Sequence, residues 1–169
     1  MARDLSRAGL ERWFDEVMAR DGRSLERLAA SYTRTSGDRE DLFQEIATAI
    51  WTALPRFRAE CSERTFVFRI AHNRALAHVA RRRMAAAPID DVELRDPGPS
   101  PETALARDQQ SERLLEAVRG LPLGHREVIT LTLEGFGYGE IADVLGISET
   151  NVATKITRAK QTLRARMNP

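Results

Sequence analysis

The stretch YGEIADVLGISETNVATKITRAKQTLRARM, from Tyr138 to Met167, predicts a short helix, a tight turn and a longer basic helix. Gly146 stands where a helix commonly ends in a positive-φ residue, and Ser148 can cap the next helix through its hydroxyl. The longer helix then repeats apolar side chains at helical spacing from Val152 onward. This combination indicates a helix-turn-helix, in which one face of the second helix packs on the first.

The opposite face of that second helix carries short polar and cationic side chains near its start. Such side chains reach base edges and phosphates in the DNA major groove, so the pattern favours DNA binding. A plain helical hairpin with a solvated basic face is the alternative, and a charged face alone would favour it. The residues predicted to contact DNA are Ser148, Asn151, Thr154, Lys155 and Arg158.

Outward from this stretch, the chain of 169 residues has few strand signals and no internal repeat. Apolar side chains recur at helical spacing within residues 10–18, 25–32 and 42–53. Pro55 stops the third stripe, and a loop then leads into a long helix that ends in the run Arg81–Arg83. We therefore predict an all-α fold.

Residues 85–110 differ from the rest in composition. Six acidic residues stand against two arginines from Pro88 to Asp108, whereas Arg69 to Arg83 holds five arginines and no acid. This acidic, proline-containing stretch predicts a flexible linker. It divides the chain into two small helical domains, residues 1–84 and 111–169, and the net charge of +1 hides a basic block in each.

Several classes of protein are excluded by what the sequence lacks. Cys61 is the only cysteine, which rules out an internal disulfide and fits a cytoplasmic protein. His72, His78 and His125 show no metal-ligand spacing, and the chain has no phosphate-binding glycine loop or nucleophile constellation. The longest apolar-leaning run is half of a membrane span. We predict no enzyme activity, no cofactor, no metal and no membrane insertion.

Two longer segments together resemble the bacterial sigma-70 family of RNA polymerase sigma factors. LPLGHREVITLTLEGFGYGEIADVLGISETNVATKITRAKQTLRARM is similar to the family's C-terminal domain, which reads the −35 element. SGDREDLFQEIATAIWTALPRFRAECSERTFVFRIAHNRALAHVARRR is similar to the domain that binds core polymerase and reads the −10 element. Two helical domains with only a spacer between them are typical of the extracytoplasmic-function (ECF) group. The resemblance spans about Leu25 to Met167.

The resemblance implies three partners. They are core RNA polymerase, through its β′ coiled coil and β flap, promoter DNA, and an anti-sigma factor or other regulator. The segment DLFQEIATAIW matches the family helix that docks on the β′ coiled coil, with Asp41, Gln44 and Glu45 exposed and Leu42 and Ile46 near them. An acidic and amide edge suits an arginine-rich partner. On spacing alone, a solvated polar face over a core stripe is the better interpretation.

The loop and long helix after Pro55 interleave aromatic residues with arginines. Bases of melted DNA stack on aromatic rings while cations bind the backbone. For any one phenylalanine a core position is the simpler prediction, and we expect Phe68 in the core. The segment IAHN resembles the family motif I-A-x-N, whose asparagine helps recognise a flipped −10 base. The predicted −10 residues are Phe57, Arg58, Phe66, Arg69, Asn73, Arg74 and Arg81.

The chain departs from the family pattern at three positions. Phe66 replaces a usual tryptophan, His78 stands where an aspartate is common, and Ala153 replaces a basic residue of the recognition helix. One −35 contact should therefore be missing. Two other functions stay open: a stand-alone helix-turn-helix regulator with a ligand-sensing or dimerising first domain, and a helical adaptor or anti-sigma-like binding protein.

Overall fold

A computed structural model describes residues 3–85 and 106–168. Every regular element in these two ranges is helical, which confirms the all-α prediction. None of the described helices is long and apolar enough to cross a membrane. The elements are α1 (Arg7–Ser31), α2 (Ser36–Ala53), a 3-10 turn (Leu54–Arg56), α3 (Glu63–Ala85), α4 (Ala106–Arg119), α5 (Leu123–Leu133), α6 (Tyr138–Leu145) and α7 (Glu149–Met167).

The first two apolar stripes of the sequence lie on one continuous helix, α1, of 25 residues. Ser6 caps it, because the Ser6 hydroxyl accepts a hydrogen bond from the Gly9 N–H at 3.2 Å. Midway along α1, the carboxylate of Asp21 is buried and pairs with Arg20 at 2.7 Å and with Arg64 of α3 at 3.5 Å. A buried charge needs such partners to offset its lost hydration.

Helices α1, α2 and α3 form the first domain around an apolar core. Its fully buried members include Val17, Leu25, Leu42, Ile46 and Phe68, each 0% exposed. Burying a side chain of this size contributes about 1.5–3 kcal/mol relative to leaving it in water. The core position expected for Phe68 is confirmed.

Helices α4 to α7 form the second domain. Its core includes Val128, Leu131, Ile141, Val152 and Ile156, all 3% exposed or less. Helix α4 begins at Ala106, within the stretch for which the sequence predicts a linker. The rest of that predicted linker, residues 86–105, lies outside the described residues.

The two domains pack against each other. Helix α3 of the first domain contacts α6 of the second, and α1 contacts both α4 and α5. The sequence patterns do not predict this packing of the two domains.

Candidate nucleic-acid interface

The turn between α6 and α7 has the geometry that its sequence predicts. Gly146 adopts φ 67° and ψ 35°, and its N–H donates to the Ala142 carbonyl at 2.8 Å, which ends α6. The Ser148 hydroxyl accepts from the Asn151 N–H at 3.1 Å and so caps α7. Val152 is fully buried and holds α7 against the rest of the domain. These contacts fix the direction in which the start of α7 projects.

The outer face of α7 is open to solvent. Asn151, Thr154 and Arg158 are exposed, as predicted for residues that reach DNA. Thr157 and Gln161 share this face, although neither is among the predicted DNA contacts; Thr157 lies one turn beyond Thr154, and Gln161 lies one turn beyond Arg158. A shallow depression on it is lined by Ala153, Thr154, Thr157, Arg158 and Gln161.

Lys155 is placed differently from the other predicted −35 residues. Its side chain is half-buried, and its Nζ lies 3.2 Å from where a β-carbon would sit on Gly124 of α5. Burial raises the pKa of the nearby Glu127 carboxyl, while the positive charges of Lys155 and Arg126 oppose that rise. Lys155 therefore lies back along α5, and Arg158 is the exposed cation of the set.

The predicted polymerase-binding residues of α2 divide into a surface and its support. Asp41 and Gln44 are exposed, and the Glu45 carboxylate accepts a hydrogen bond from Arg81 of α3 at 2.6 Å. Leu42 and Ile46 are both 0% exposed, because they point into the core shared with α1 and α3. Leu42 and Ile46 therefore support the polar edge of α2 from the core side, and they have no exposed surface for a partner to contact.

A groove of about 870 Å³ lies between α2 and α3. It brings the acidic edge of α2 next to Asn73, Arg74 and Arg81, which the sequence assigns to −10 recognition. Thr52 and Arg56 also line the groove, although neither is among the predicted −10 or polymerase contacts. A signal was available, since Thr52 lies two turns beyond Glu45 on the same helix.

The aromatic candidates form a half-buried cluster at one end of α3. The Phe57 and Phe66 ring centroids are 4.9 Å apart, and Phe57 also meets Trp13 edge-on at 6.2 Å. Each ring therefore shows only part of its surface to solvent. Ala59, in the loop between them, has a φ of 56°, a conformation that most side chains disfavour.

The predicted −10 arginines do not all lie on one open surface. Arg58 and Arg74 are exposed, as is Asn73. Arg69 instead donates to the Asp143 carbonyl of α6 at 2.9 Å, across the boundary between the domains. Part of the predicted −10 surface is thus in contact with the second domain.

Two histidines of α3 are buried. His72 is 5% exposed, and burial lowers its pKa to about 4. Its Nε2 lies 3.9 Å from an oxygen of Glu127, again across the domain boundary. His78, at the position that departs from the family pattern, is 7% exposed. Among the residues that the structure describes, no three His, Cys, Asp or Glu side chains are grouped to hold a metal ion.

Comparison with known proteins agrees with this two-domain arrangement. Residues 17–84 match the family described as Sigma-70 region 2, and residues 111–163 match the family described as Sigma-70, region 4. The RNA polymerase sigma factor CnrH of Cupriavidus metallidurans is 32% identical over 168 residues, covering 94% of this chain and 88% of CnrH.

Two solved structures are similar over both domains. CnrH in complex with the cytosolic domain of CnrY gives a TM-score of 0.70 at 28% identity, over 94% of this chain and 89% of that chain. The sigma factor RpoE of Bartonella quintana, in complex with the anti-sigma factor NepR, gives a TM-score of 0.72 over 91% of this chain and 96% of that chain. At 20% sequence identity, this similarity supports the fold alone.

Proposed function

Because this chain belongs to the sigma-70 family of RNA polymerase sigma factors, in its extracytoplasmic-function group, we propose that it directs promoter-specific transcription initiation. The first domain binds core polymerase and captures −10 DNA, and the second binds the −35 duplex. The protein acts in the cytoplasm and has no catalytic role of its own. The observation that carries this proposal is the exposed face of α7, set by Gly146 and Ser148 at the end of a chain that also displays an acidic α2 edge.

The −35 contacts come from the start of α7. Asn151, Thr154 and Arg158 project from consecutive turns of a capped helix, at the position that enters the major groove in helix-turn-helix proteins. Arg158 reads a base edge or binds a phosphate, and the polar side chains before it add base contacts. Ser148 contributes through its cap and Lys155 through its charge. Thr157 joins this set because it shares the open face.

The −10 contacts come from the groove between α2 and α3 and the loop that precedes α3. Asn73 recognises a base that leaves the stack, while Arg58, Arg74 and Arg81 bind the backbone of the melted strand. Phe57 and Phe66 offer partly exposed rings beside that strand. Arg69 joins this set once it leaves its contact with α6.

The polymerase contacts come from the polar edge of α2, formed by Asp41, Gln44 and Glu45. Carboxylates on an exposed helix form strong paired hydrogen bonds with the guanidinium groups of a partner helix. The β′ coiled coil of the polymerase is that partner, and the β flap binds the second domain. We also propose an anti-sigma factor or similar regulator, because RpoE and CnrH were solved with NepR and CnrY.

A reconstitution with sigma-free core polymerase and genomic DNA tests the proposal. The transcript starts are sequenced with and without the purified protein. We expect new starts that share two upstream motifs at a fixed spacing. Tight duplex binding by the protein alone, without new starts, would favour the stand-alone helix-turn-helix regulator. No starts and no DNA binding would favour the helical adaptor or anti-sigma-like protein.

A further inference from the structure

Four arginines meet at the ends of four helices. Arg34 follows α1, Arg83 lies in the last turn of α3, Arg119 ends α4 and Arg126 lies at the start of α5. The Arg126 Nη2 donates to the Arg119 carbonyl at 2.6 Å, and its guanidinium carbon lies 5.8 Å from the centre of the Tyr32 ring at the end of α1. Burial is the main cause that lowers the pKa of Arg126, and Tyr32 opposes it. Three neighbouring positive charges lower that pKa further, those of Arg34, Arg83 and Arg119.

Arg119 is the buried member of this arginine cluster. Its side chain is only 10% exposed, and two of its nitrogens are paired, Nε with the Ala30 carbonyl at 2.9 Å and Nη1 with Glu116. The third nitrogen, Nη2, is buried and has no hydrogen-bond partner among the residues that the structure describes. The Arg126 Nε is in the same condition. A buried donor without an acceptor is costly, so each guanidinium would be stabilised by an oxygen that reached it.

The start of α5 adds a second preference for negative charge. The first N–H groups of a helix carry partial positive charge and attract anions. Helix α5 has 11 residues, begins after Pro122 without a side-chain cap and has no acidic residue in its first turn. Cations stand there instead, Arg126 itself and Lys155, whose Nζ lies beside the first turn of α5. The Glu127 carboxylate lies toward His72 of α3, 3.9 Å away. No carboxylate of the described residues therefore caps this helix start.

The arginine cluster has the chemistry of a site for phosphate. Guanidinium groups bind phosphate oxygens through two parallel hydrogen bonds, and helix N-termini bind phosphates through their N–H groups. Positive charges gathered in one place favour an anion that carries more than a single charge, such as phosphate or pyrophosphate. Arg34 and Arg83 are exposed and Arg126 is half-buried, so the cluster has an open side for a small ligand. A DNA duplex is too broad to bring a phosphate to the buried Arg119.

We propose that the ends of α1, α3 and α4 and the start of α5 form a binding site for a small phosphate-bearing ligand: free phosphate, pyrophosphate or the phosphate chain of a nucleotide. The ligand oxygens accept hydrogen bonds from Arg119 and Arg126 and from the first N–H groups of α5. Arg34 and Arg83 hold the ligand from the open side by their charge. These arginines are not among the predicted DNA or polymerase contacts, so the site adds a ligand-binding function to the proposed one.

Isothermal titration calorimetry of the full chain tests the site, with inorganic phosphate, pyrophosphate and ATP titrated in turn at constant ionic strength. We expect a single site per chain with a Kd below about 1 mM for at least one of these ligands. The comparison among them identifies the source of phosphate that the site prefers. If none of the ligands bound in this concentration range, the inference would be overturned.

The exposed arginines of the cluster are the ones to substitute, because the other two also bond to main-chain carbonyls and contribute to folding. The double variant Arg34→Gln with Arg83→Gln removes the charges on the open side and should weaken binding at least about tenfold. The matched control is Arg23→Gln with Arg113→Gln, which removes the same total charge from exposed positions of α1 and α4 outside the cluster. The control variant should bind the ligand as wild type does.

Two-dimensional amide NMR spectra locate the bound ligand. The amide signals of Leu123 and Gly124, at the start of α5, should shift most during the titration. If the largest shifts fell on the outer face of α7, the anion would lie on the proposed DNA surface and the inference would be wrong. Equal weakening in the two double variants would also overturn it, because the effect would then come from net charge. Core polymerase does not enter this test, so the proposed function and the phosphate site stand or fall separately.

Discussion

At the residue scale, we expect −35 recognition to depend most on the Arg158 side chain. It is exposed on the open face of α7, whereas Lys155 is half-buried against α5. Loss of one direct base contact costs about 1–3 kcal/mol. We expect Arg158→Ala to lower promoter-dependent transcription by about 5- to 100-fold and Lys155→Ala to lower it less. Single-round transcription on a mapped promoter measures both.

The control for this prediction is Arg113→Ala, which removes the charge of an exposed arginine on α4 of the same domain. Polymerase binding should be unchanged in all three variants. If Arg113→Ala lowered transcription as strongly as Arg158→Ala, the effect would come from net charge and the assignment to α7 would be wrong.

His72 gives the folded protein a pH dependence whose sign follows from its burial. Its pKa is lowered to about 4, so the folded state binds fewer protons than the unfolded state between about pH 4 and 6.5. The stability that neutral His72 contributes is complete above about pH 6.5 and is lost as the pH falls toward 4. For this group alone the loss at pH 5 is about 2 kcal/mol.

Glu127 acts in the opposite sense, because its raised pKa contributes stability at acid pH that is lost as the pH rises. We therefore expect a net loss smaller than the His72 value. Urea unfolding at pH 7 and pH 5 measures it, with His72→Gln as the reference that cannot titrate. An equal change in the free energy of unfolding for both proteins would show that His72 does not account for it.

Single residues of the helix-turn-helix were the most predictable part of the site. Gly146 and Ser148 act through their own backbone and its nearest turns, so their roles can be inferred from local sequence. The position of the Lys155 side chain could not be inferred in this way, since its Nζ lies beside Gly124 of a different helix, 3.2 Å from where a β-carbon would sit. The burial of Leu42 and Ile46 follows from helical spacing, although family resemblance alone had assigned them to a binding surface.

At the element scale, the turn between α6 and α7 depends on Gly146. A β-carbon there would meet no atom within 4 Å, so any cost of Gly146→Ala comes from the positive φ. We expect the free energy of unfolding to fall by about 1–2 kcal/mol, and by less for Gly146→Asn, because asparagine tolerates this conformation. Chemical denaturation measures the change.

Gly37→Ala is the matched control, because Gly37 of α2 also has free space around its β-carbon position and does not have a positive φ. It should leave stability unchanged or raise it slightly. If both substitutions lowered the free energy of unfolding equally, the positive φ at Gly146 would not be the reason that this position requires glycine.

A separate prediction concerns the polar edge of α2 and the affinity of the protein for core polymerase. The double variant Asp41→Ala with Glu45→Ala removes both carboxylates of the proposed docking edge and leaves the core residues beneath it intact. We expect affinity for core polymerase to fall at least tenfold, since charge-assisted bonds to a partner are lost. Surface plasmon resonance with immobilised core enzyme measures the affinity.

Asp15→Ala with Glu16→Ala serves as the comparison, because these exposed acids lie on α1 and carry the same total charge. This double variant should bind core polymerase with the same affinity as wild type. If the α2 variant bound core polymerase with unchanged affinity, the docking surface would not lie on α2. The assignment of the −35 contacts to α7 would not be affected.

At the scale of the whole molecule, the two domains share a buried aromatic pair and so should unfold together. Phe68 and Phe136 each lose part of their burial if the domains separate. Arg27 and Glu134 pair across the domain boundary, at 2.8 and 2.7 Å. We expect one calorimetric transition for wild type, two resolved transitions for Arg27→Glu, and one transition again in the double variant Arg27→Glu with Glu134→Arg. Two transitions already present in wild type would contradict this coupling.

The docking of the domains was the part of the structure that sequence could not supply. Periodicity and caps report on contacts within a helix or between neighbouring helices, and they predicted the helices of both domains. The contact between the domains joins Arg64 and Arg69 to main-chain oxygens of Glu134 and Asp143, about seventy residues further along the chain. Main-chain oxygens are present at every residue, so no side-chain pattern marks them as partners.

The same feature governs how the contact tolerates change over evolutionary time. Because Arg69 binds the oxygen of the peptide group at Asp143, almost any residue could replace Asp143 without removing that bond. Paired substitutions are therefore expected at Arg27 and Glu134, whose side chains meet directly, and are not expected between Arg69 and Asp143. A domain contact built in this way can persist through sequence drift while leaving little correlated variation for an alignment to detect.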